Sequence, residues 1–422
     1  ERKEILDKAG ITYEEGGHTS DKFVDAYTVI KSPGIPKTAP IISFLEEHEI
    51  PIISEIEFAC RFTRGYIIAI TGTNGKTTTA SLTYHILKTN GLDVKLAGNI
   101  GKSFAMSLVE GDADYFVLEV SSFQLDDIDM FHPNISVILN VTPDHLDRYN
   151  NSMYEYTSAK IRITENQKRQ DLFIYNAKDY WTSQNLQNLI GNPQMMGINL
   201  KRNGQKIIHW DEEAHTLQVR DHIFDLTKLS LHGEHNYFNT AVAVLAAQRL
   251  KLSEKEIALA LRTFKGSPHR MEKITNINSI AFYNDSKGTN VDATSKALKS
   301  FKENIIWIAG GVDKGNNYRE LERLVRQRVH AVVALGTQNE KLIEFFKPHF
   351  GDRLVSVASM QEAVLAAYRF APEDGTILLS PACASFDLFK NYEHRGEEFR
   401  KHTLELAHAV PFIERSGLRF MG

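Results

Sequence analysis

Short apolar runs alternate with amphipathic segments along most of the 422-residue chain. The most distinct run covers residues 66–70, whose β-branched and aromatic side chains have no helical periodicity and are typical of a strand buried on both faces. Comparable runs occur at residues 115–118 and 135–139, and each is followed in the chain by a polar loop. Strand patterns that alternate with helical patterns predict α/β domains with mainly parallel sheets.

The chain is long enough for about two to four hydrophobic cores, and breaks in the pattern divide it into three predicted domains. Residues 62–65 are interpreted as a linker, and the Gly-Ser-Pro sequence at 266–268 marks a second boundary. We therefore predict domains at 1–64, 65–265 and 266–422. Between 171 and 232 the pattern weakens into short strands and turns, and from His408 onward no pattern is recognisable.

Composition and charge favour a soluble protein without a nucleic-acid partner. Hydrophobic residues make up 42% and charged residues 24% of the chain, and the net charge is −4. Only two cysteines occur, Cys60 and Cys383, without metal-ligand spacing, which favours a reducing cytoplasm. No apolar stretch approaches the roughly twenty residues that cross a bilayer, so no membrane insertion is expected.

The sequence GTNGKTTT, which follows the run at 66–70, predicts a phosphate-binding loop. Gly72 and Gly75 let the backbone approach a bound group, Lys76 supplies a positive charge, and Thr77 offers a hydroxyl for magnesium at the start of a helix. The usual pattern would place its first glycine at position 70, where this chain has Ile70, so the loop is a shorter variant. A tight turn without a ligand is the alternative interpretation.

Polar side chains follow the next two predicted strands. Glu119 ends a strongly apolar run, and a buried carboxylate costs several kcal/mol unless it is paired, which favours magnesium or, alternatively, hydrogen bonds. His145 follows the run at 135–139 on the same expected sheet edge, as a metal ligand, a substrate contact or an ordinary polar residue. Lys160 lies on the next predicted helix, where a solvated lysine is the ordinary interpretation.

Other polar residues leave their roles open. The turn SPGIP at 32–36 is most simply an ordinary loop, although Gly34 could approach a ligand. Amides at the start of an alanine-rich helix could cap it or read a nucleotide base. In the last predicted domain, polar residues follow successive strands and are expected to face a common cleft: Asn284, Asp285, Lys287, Asp313, Lys314, Ser380, Ser385 and Asp387.

The motifs GTNGKTTT, LEVSSFQL, NVTPDHLDRY, SAKIRI, GEHNYFN, PHRME, YNDSKGTN and LSPACASFD occur in this order over nearly the whole chain. Together with SPGIP, this set resembles the Mur ligase family, and within it the branch that adds D-glutamate. The resemblance implies three α/β domains: a truncated Rossmann-like N-terminal domain for the uridine nucleotide, a central P-loop ATPase domain, and a Rossmann-like C-terminal domain for the amino acid and part of the ATP site. Family members begin with a strand, a glycine-rich turn and a helix, and we expect these to be missing from this sequence.

The resemblance also implies a reaction. ATP phosphorylates the terminal L-alanine carboxylate of UDP-N-acetylmuramoyl-L-alanine, and the amine of D-glutamate attacks the acyl phosphate. We expect ATP, two magnesium sites and a monomeric enzyme.

Family roles carry over by position. The implied catalytic residues are Lys76, Glu119, His145 and Lys160, of which Lys160 is carbamylated in the family, and the implied metal ligands are Thr77, Glu119, His145 and Lys160. By the same resemblance, we expect ATP to be held by Gly72, Thr73, Asn74, Gly75, Lys76, Thr77, Thr78, His235, Asn236, Asn239, Arg270 and Asp285. We expect the uridine precursor to contact Gly34, Asn99 and His145, the closing site to involve Lys287 and Thr289, and D-glutamate to be held by Lys314, Ser385 and Tyr392.

Two other functions remain open. A folylpolyglutamate synthase-type ligase would use the same chemistry on a pterin substrate. A nucleotide-binding regulator would keep the phosphate loop but form no bond.

Overall fold

The computed structural model describes residues 2–202, 208–211, 213–229, 231, 233–266, 268–313 and 315–416. The chain forms two compact units: the first contains Glu1–Lys76 and Gly91–Asn199, and the second contains Thr77–Asn90 and Leu200–Gly422. The predicted α/β class with mainly parallel sheets is confirmed. The domain boundaries at 64/65 and 265/266 stay predictions. No helix in the described part of the chain is long and apolar enough to cross a membrane.

The first unit begins with a small two-stranded parallel sheet. Its elements are α1 (Arg2–Lys8), β1 (Val29–Lys31), α2 (Pro40–Glu47), β2 (Ile52–Ser54) and α3 (Glu55–Cys60). Its own apolar cluster is limited to a few buried side chains, centred on Ile42 and Leu45 of α2. In contrast, Ile56 and Ala59 of α3 belong to the large core of the next sheet. The N-terminal segment therefore depends on that sheet for much of its burial.

The large sheet of the first unit has six parallel strands in the order β4-β5-β3-β6-β7-β8. The strands are β3 (Tyr66–Thr71), β4 (Val94–Gly98), β5 (Tyr115–Glu119), β6 (Ile135–Ile138), β7 (Leu172–Asn176) and β8 (Gln194–Ile198). The three continuous apolar runs became the central strands β3, β5 and β6, which are buried on both faces, as expected for a parallel sheet.

Helices connect these strands: α4 (Lys76–Thr89), whose body belongs to the second unit, α5 (Phe104–Val109), α6 (Ser122–Leu125), α7 (Met153–Ile161) and α8 (Tyr180–Asn185). Serine side chains cap three of them, and two of these caps lie close to the candidate site. Ser121 and Gln124 form a capping box at α6, and the hydroxyl of Ser152 accepts the N–H of Glu155 at α7. The second cap sets the rotation of the helix that carries Lys160.

The first part of the region of weak pattern forms β7, α8 and β8 of the large sheet, and the part from residue 201 onward forms a small, mainly antiparallel sheet in the second unit. Its strands are β9 (Lys201–Arg202), β10 (Ile208–Asp211), β11 (Thr216–Val219) and β12 (His222–Asp225), and two helices follow, α9 (Glu234–Arg249) and α10 (Glu254–Thr263). None of these strands exceeds four residues, too short a run for a recognisable period.

The last sheet has the order β13-β14-β18-β15-β16-β17 and is parallel except between β13 and β14. It contains β13 (Glu272–Ile277), β14 (Ile280–Asn284), β15 (Ile305–Ala309), β16 (Val329–Leu335), β17 (Leu354–Val357) and β18 (Thr376–Leu379), with α11 (Val291–Lys299), α12 (Arg319–Arg328), α13 (Glu340–Phe350), α14 (Met360–Phe370) and α15 (Tyr392–Ser416). Strand β13 was not predicted, because this edge strand is only partly buried. The tail without a recognisable pattern continues α15 as far as Ser416.

A fully buried carboxylate joins the N-terminal segment to the large sheet. Glu57 of α3 accepts the backbone N–H groups of Asp129, Met130 and Phe131 at 3.0, 2.9 and 2.7 Å. Its other oxygen accepts Arg61 Nε at 3.0 Å. Close by, Lys31 pairs with Asp127 at 2.8 Å. We call the contact of Glu57 with residues 129–131 the Glu57 latch.

We predict that Glu57→Ala lowers the free energy of unfolding by about 3–5 kcal/mol, because three buried N–H groups and a partly buried guanidinium lose their acceptor. Asp129→Asn is the matched control: its side chain is 70% exposed and its ion pair with Arg61 is long, at 3.5 Å. The control should change stability by less than about 0.5 kcal/mol. Urea unfolding followed by circular dichroism measures both, and equal effects would contradict a structural role for the latch.

Candidate active site

The phosphate loop lies between β3 and α4, at the carboxyl edge of the large sheet. Gly72 has φ 145° and Gly75 has φ 89°, values that side chains rarely allow. A Cβ at Gly72 would also lie 3.1 Å from the Cβ of Leu139. Both glycines are therefore needed for the backbone conformation of the loop. Gly72 is also needed because the segment that follows β6 approaches it closely.

The loop is anchored to the segment that follows β6. The amide side chain of Asn140 exchanges hydrogen bonds with the backbone of Asn74, accepting its N–H and donating to its carbonyl, both at 2.9 Å. Thr73 donates its N–H to the Asn140 carbonyl at 2.9 Å and its hydroxyl to the Thr142 carbonyl at 3.1 Å. The Lys76 ammonium donates to the carbonyls of Gly72 and Thr73, both at 2.8 Å. Its positive charge is thereby held over the loop.

A cavity of about 310 Å³ opens beside this loop, within the first unit. Predicted site residues from separate segments line it: Gly34, Thr73, Lys76, Asn99, His145 and Lys160. Pro33 and Gly34 of the SPGIP turn form part of the wall, and a ligand contact of this turn stays a prediction. The cavity is thus lined by the phosphate loop, by the loops that follow β4 and β6, and by α7.

Lys160 is 2% exposed, so its interpretation as a solvated helix lysine is wrong. Its ammonium donates to the Gly72 carbonyl at 3.3 Å and lies 4.4 Å from the centre of the Tyr156 ring. Burial, followed by the nearby positive charge of Lys76, lowers the pKa of Lys160 well below its ordinary value. An amine of this kind is neutral far more often than a surface lysine.

Glu119 ends β5 as a buried carboxylate, 2% exposed. It accepts the Asn99 side-chain amide at 3.1 Å, and its backbone carbonyl accepts the Asn99 N–H at 2.8 Å. Gly98 permits this approach, since a Cβ there would meet the Glu119 carbonyl oxygen at 2.3 Å. Asn99 and Glu119, predicted separately, form one hydrogen-bonded pair.

No group of three histidine, cysteine or acidic side chains among the described residues could hold a metal ion by itself. Mg²⁺ commonly takes only one or two carboxylates and completes its shell with phosphate oxygens and water. A buried carboxylate such as Glu119, next to the strand that leads into the phosphate loop, is compatible with that kind of site.

His145 follows β6 on the same sheet edge as Glu119, as predicted, because β5 and β6 both pair with β3 in parallel. Its backbone is left-handed, with φ 53°, an uncommon conformation for a residue other than glycine. Its side chain is 46% exposed, and the ring meets Phe123 edge-on at 5.2 Å. The imidazole is thus accessible from the cavity.

Within the second unit, two cations converge on the hydroxyl of Thr77. Arg270 Nη2 donates to it at 2.9 Å and Lys287 Nζ at 2.8 Å. The Lys287 ammonium also lies 5.0 Å from the centre of the Tyr392 ring. Two positive charges at the beginning of α4 favour an anion.

Asp285 is buried behind these cations, 7% exposed. It accepts the Ser380 hydroxyl at 2.8 Å and the Met271 N–H at 3.3 Å. Burial raises its pKa to about 7, although the Ser380 hydrogen bond and Arg270 oppose the shift. The contact with Ser380 confirms that the loops after β14 and β18 meet at one edge.

Asn236 and Asn239 are buried on α9, and Asn239 donates to the Asn236 side-chain oxygen at 3.1 Å. The helix begins after Gly233 without a side-chain cap, so their interpretation as caps is wrong. His235 precedes them, and burial together with Lys296 lowers its pKa to about 4. Its imidazole is neutral at physiological pH.

The remaining predicted residues have less distinctive surroundings. Thr78 and Ser385 are buried, Thr289 donates its N–H to the Lys287 carbonyl at 3.0 Å, and the Tyr392 carbonyl accepts the Ser286 hydroxyl at 2.8 Å. Lys314 lies outside the described residues.

Sequence reasoning missed several residues that shape the site, among them Asn140, Arg148 and Arg395. Arg395 is 1% exposed and donates to both the hydroxyl and the carbonyl of Ser286, at 3.1 and 2.9 Å, and to the Cys383 carbonyl at 3.2 Å. It therefore binds the loop after β14 to the loop after β18. A signal existed: Arg395 shares a helical face with the buried residues Phe399 and Leu406 of α15.

Family models match most of the chain. Residues 1–40 match the MurD N-terminal domain, residues 70–247 the Mur ligase middle domain, and residues 269–383 the glutamate ligase domain of Mur ligases. A UDP-N-acetylmuramoylalanine–D-glutamate ligase of Bacteroides fragilis is 46% identical over 96% of this chain and 91% of its own length. One from Porphyromonas gingivalis is 44% identical over 96% and 90%.

Solved structures show the same fold at low identity. The UDP-N-acetylmuramate–alanine ligase of Thermotoga maritima aligns with a TM-score of 0.61 and 21% identity, covering 96% of this chain and 91% of its own. A folylpolyglutamate synthase of Mycobacterium tuberculosis aligns with a TM-score of 0.64 and 14% identity, covering 83% and 94%. The family matches and the identity to curated relatives agree with the arrangement of the phosphate loop and its neighbours: the chain belongs to the Mur ligase family and resembles its UDP-N-acetylmuramoylalanine–D-glutamate ligases.

Proposed function

We propose that the chain catalyses the ATP-dependent addition of D-glutamate to UDP-N-acetylmuramoyl-L-alanine, a step of peptidoglycan precursor synthesis. The observation that carries this proposal is the cavity beside the phosphate loop. It places Lys76, His145 and buried Lys160 in one space with Gly34 and Asn99. Relatives with 44–46% identity, of whose length the chain covers 90–91%, bear the name of this reaction.

The reaction joins the alanine carboxylate, which is a poor electrophile, to the amine of D-glutamate. Transfer of the terminal phosphate of ATP to the alanine carboxylate gives an acyl phosphate and ADP. The D-glutamate amine then attacks the carbonyl carbon, the C–N bond forms, and phosphate leaves as the amine loses a proton. Lys76 supplies positive charge to the phosphate oxygens, and the glycine loop brings the backbone close to them.

Lys160 is proposed to be carbamylated. The ammonium first loses a proton, the neutral amine attacks CO₂ as an N–C bond forms, and a second proton is released from the nitrogen, so two protons leave as the cation becomes an anion. The low pKa and full burial of this side chain support the proposal, because only the neutral amine reacts. The change also removes a positive charge that lies close to Lys76.

Glu119 and carbamylated Lys160 are the proposed carboxylate ligands of two Mg²⁺ ions, with His145 as a further ligand. Bound Mg²⁺ would neutralise the charge that gathers on the phosphate and carboxylate oxygens. Thr77 stays a predicted metal ligand.

In the second unit, Arg270 and Asp285 are proposed for the ATP site, together with His235, Asn236 and Asn239. Lys287 and Thr289 are proposed to act when the site closes, and Ser385, Tyr392 and Lys314 to hold D-glutamate. The convergence of Arg270 and Lys287 on Thr77 supports an anion at this position.

The enzyme is further proposed to act as a monomer. It is proposed to act in the cytoplasm, in keeping with free cysteines at positions 60 and 383.

Substrate specificity tests the proposed function. With ATP and UDP-N-acetylmuramoyl-L-alanine, phosphate release should require D-glutamate. L-alanine, L-glutamate and diaminopimelate should each give less than about 1% of that rate, since contacts that fail in the transition state cost several kcal/mol. Release with a pterin acceptor and L-glutamate would instead favour a folylpolyglutamate synthase-type ligase, whose fold this chain shares.

Lys160→Ala should lower kcat by about 100-fold or more, because the site loses a proposed metal ligand. Short carboxylates such as formate or acetate should restore part of the activity by occupying the place of the carbamate. The control is Lys168→Ala, since Lys168 is exposed on the same part of the chain. Unchanged activity of Lys160→Ala would contradict the carbamate. An equal stimulation of Lys168→Ala by formate would also contradict it, because the effect would then not depend on position 160.

Glu119→Ala should lower turnover by about 100-fold while ATP binding, measured by calorimetry, stays within about threefold, because phosphate contacts to the loop remain. The matched control is Glu110→Ala, an exposed glutamate paired with Lys102. If the unaltered chain binds ATP but releases no phosphate with both substrates, the regulator hypothesis is favoured.

A further inference from the structure

Arg148 connects the SPGIP turn to the loop that follows β6. It ends a short 3₁₀ turn, Leu146–Arg148, directly after His145. Its guanidinium donates to three successive carbonyls of the turn: Ile35 at 3.1 Å, Pro33 at 3.4 Å and Gly34 at 3.5 Å. Both Arg148 and the turn line the cavity beside the phosphate loop.

The same guanidinium lies on an aromatic platform. Its central carbon is 4.6 Å from the centre of the Phe123 ring. Phe123 stacks on Tyr149 at 5.9 Å with ring planes 5° apart, and it meets the His145 ring edge-on at 5.2 Å. Phe123 therefore packs against the guanidinium of Arg148 and also contacts the ring of His145.

The SPGIP turn has few donors of its own. Pro33 and Pro36 lack an N–H, and inside the turn the Ile35 N–H donates to the Ser32 carbonyl at 3.0 Å. Carbonyls on the outside of such a turn need donors from elsewhere. A planar guanidinium offers several N–H groups in one fork, whereas an ammonium acts as a compact point charge and cannot stack in the same way.

We propose that Arg148 is a positioning residue, which holds residues 33–35 in the shape that forms one wall of the cavity for the uridine precursor. This inference rests on the proposed function, which supplies the ligand. Arg148 acts through the turn. Its loss should therefore weaken binding of the precursor selectively and leave the phosphate loop and the residues proposed for ATP in place.

The test uses Arg148→Gln and Arg148→Lys in the full chain. Lys37→Gln is the matched control, because Lys37 is a cation just beyond the same turn whose side chain is 61% exposed and lies 3.9 Å from Asp126. Binding of UDP-N-acetylmuramoyl-L-alanine and of ATP is measured by calorimetry, KM and kcat by phosphate release, and backbone mobility by hydrogen exchange of the peptide at 32–39 without ligand.

We expect both Arg148 variants to raise Kd and KM for the precursor by about tenfold, with KM for ATP and kcat within about threefold. Hydrogen exchange at 32–39 should accelerate severalfold in the ligand-free variants, while the thermal midpoint stays within about 3 °C. Lys37→Gln should match the unaltered chain in every measurement. Exchange at 32–39 requires no substrate, so it tests the contact even if the proposed function is wrong.

Three results would overturn the inference. Unchanged exchange at 32–39 with weaker precursor binding would make Arg148 a direct substrate contact. Equal losses for ATP and precursor would make it a general structural residue. Full activity of Arg148→Lys would show that a charge at this position suffices. If the unaltered chain itself fails to bind the precursor, the proposed function fails, whatever the exchange result.

Discussion

The parallel pairing of β3 with both β5 and β6 is the constraint on which the proposed active site depends. In this register, Ile70 lies opposite Glu119 and Thr71 opposite Ile138. The phosphate loop, the Glu119 loop and the His145 loop therefore begin at the same edge of the sheet. Parallel strands require crossover connections, so residues far apart in sequence reach this edge together. The Asn140 amide then fixes the phosphate loop to its neighbour.

Much of this arrangement was predictable because it follows from local patterns. Buried parallel strands are continuously apolar, and polar residues behind them lie at one edge by geometry. The burial of Lys160 was not predictable in this way, because its contact with Gly72 joins positions 88 residues apart. The helix pattern around it gives no sign of that packing. The family resemblance, rather than periodicity, drew attention to this lysine.

Other misses have similar causes. β13 is a partly buried edge strand, whose pattern is weak. In contrast, β9–β12 are among the short strands expected between 171 and 232, although each is too short to show a period. Arg148 and Arg395 serve backbone carbonyls of distant loops, and no side-chain motif encodes such contacts. The helix-cap interpretation of Asn236 and Asn239 failed because Gly233 occupies the N-cap position, and the two asparagines are the third and sixth residues of the helix. Their inward-facing amides are consistent with a binding role, which stays a proposal.

The Glu57 latch has a consequence for the order in which the chain folds during synthesis. The carboxylate of Glu57 and its first backbone partner are 72 residues apart. At about 5–20 residues per second, the ribosome needs roughly 4–14 s to add that stretch. Throughout this interval residues 129–131 are not yet present to donate their N–H groups to Glu57. The core that later covers Ile56 and Ala59 is also incomplete. The segment that carries α3 is thus made before the sheet that covers it, and its apolar residues remain uncovered on the nascent chain until residues 129–131 have been added.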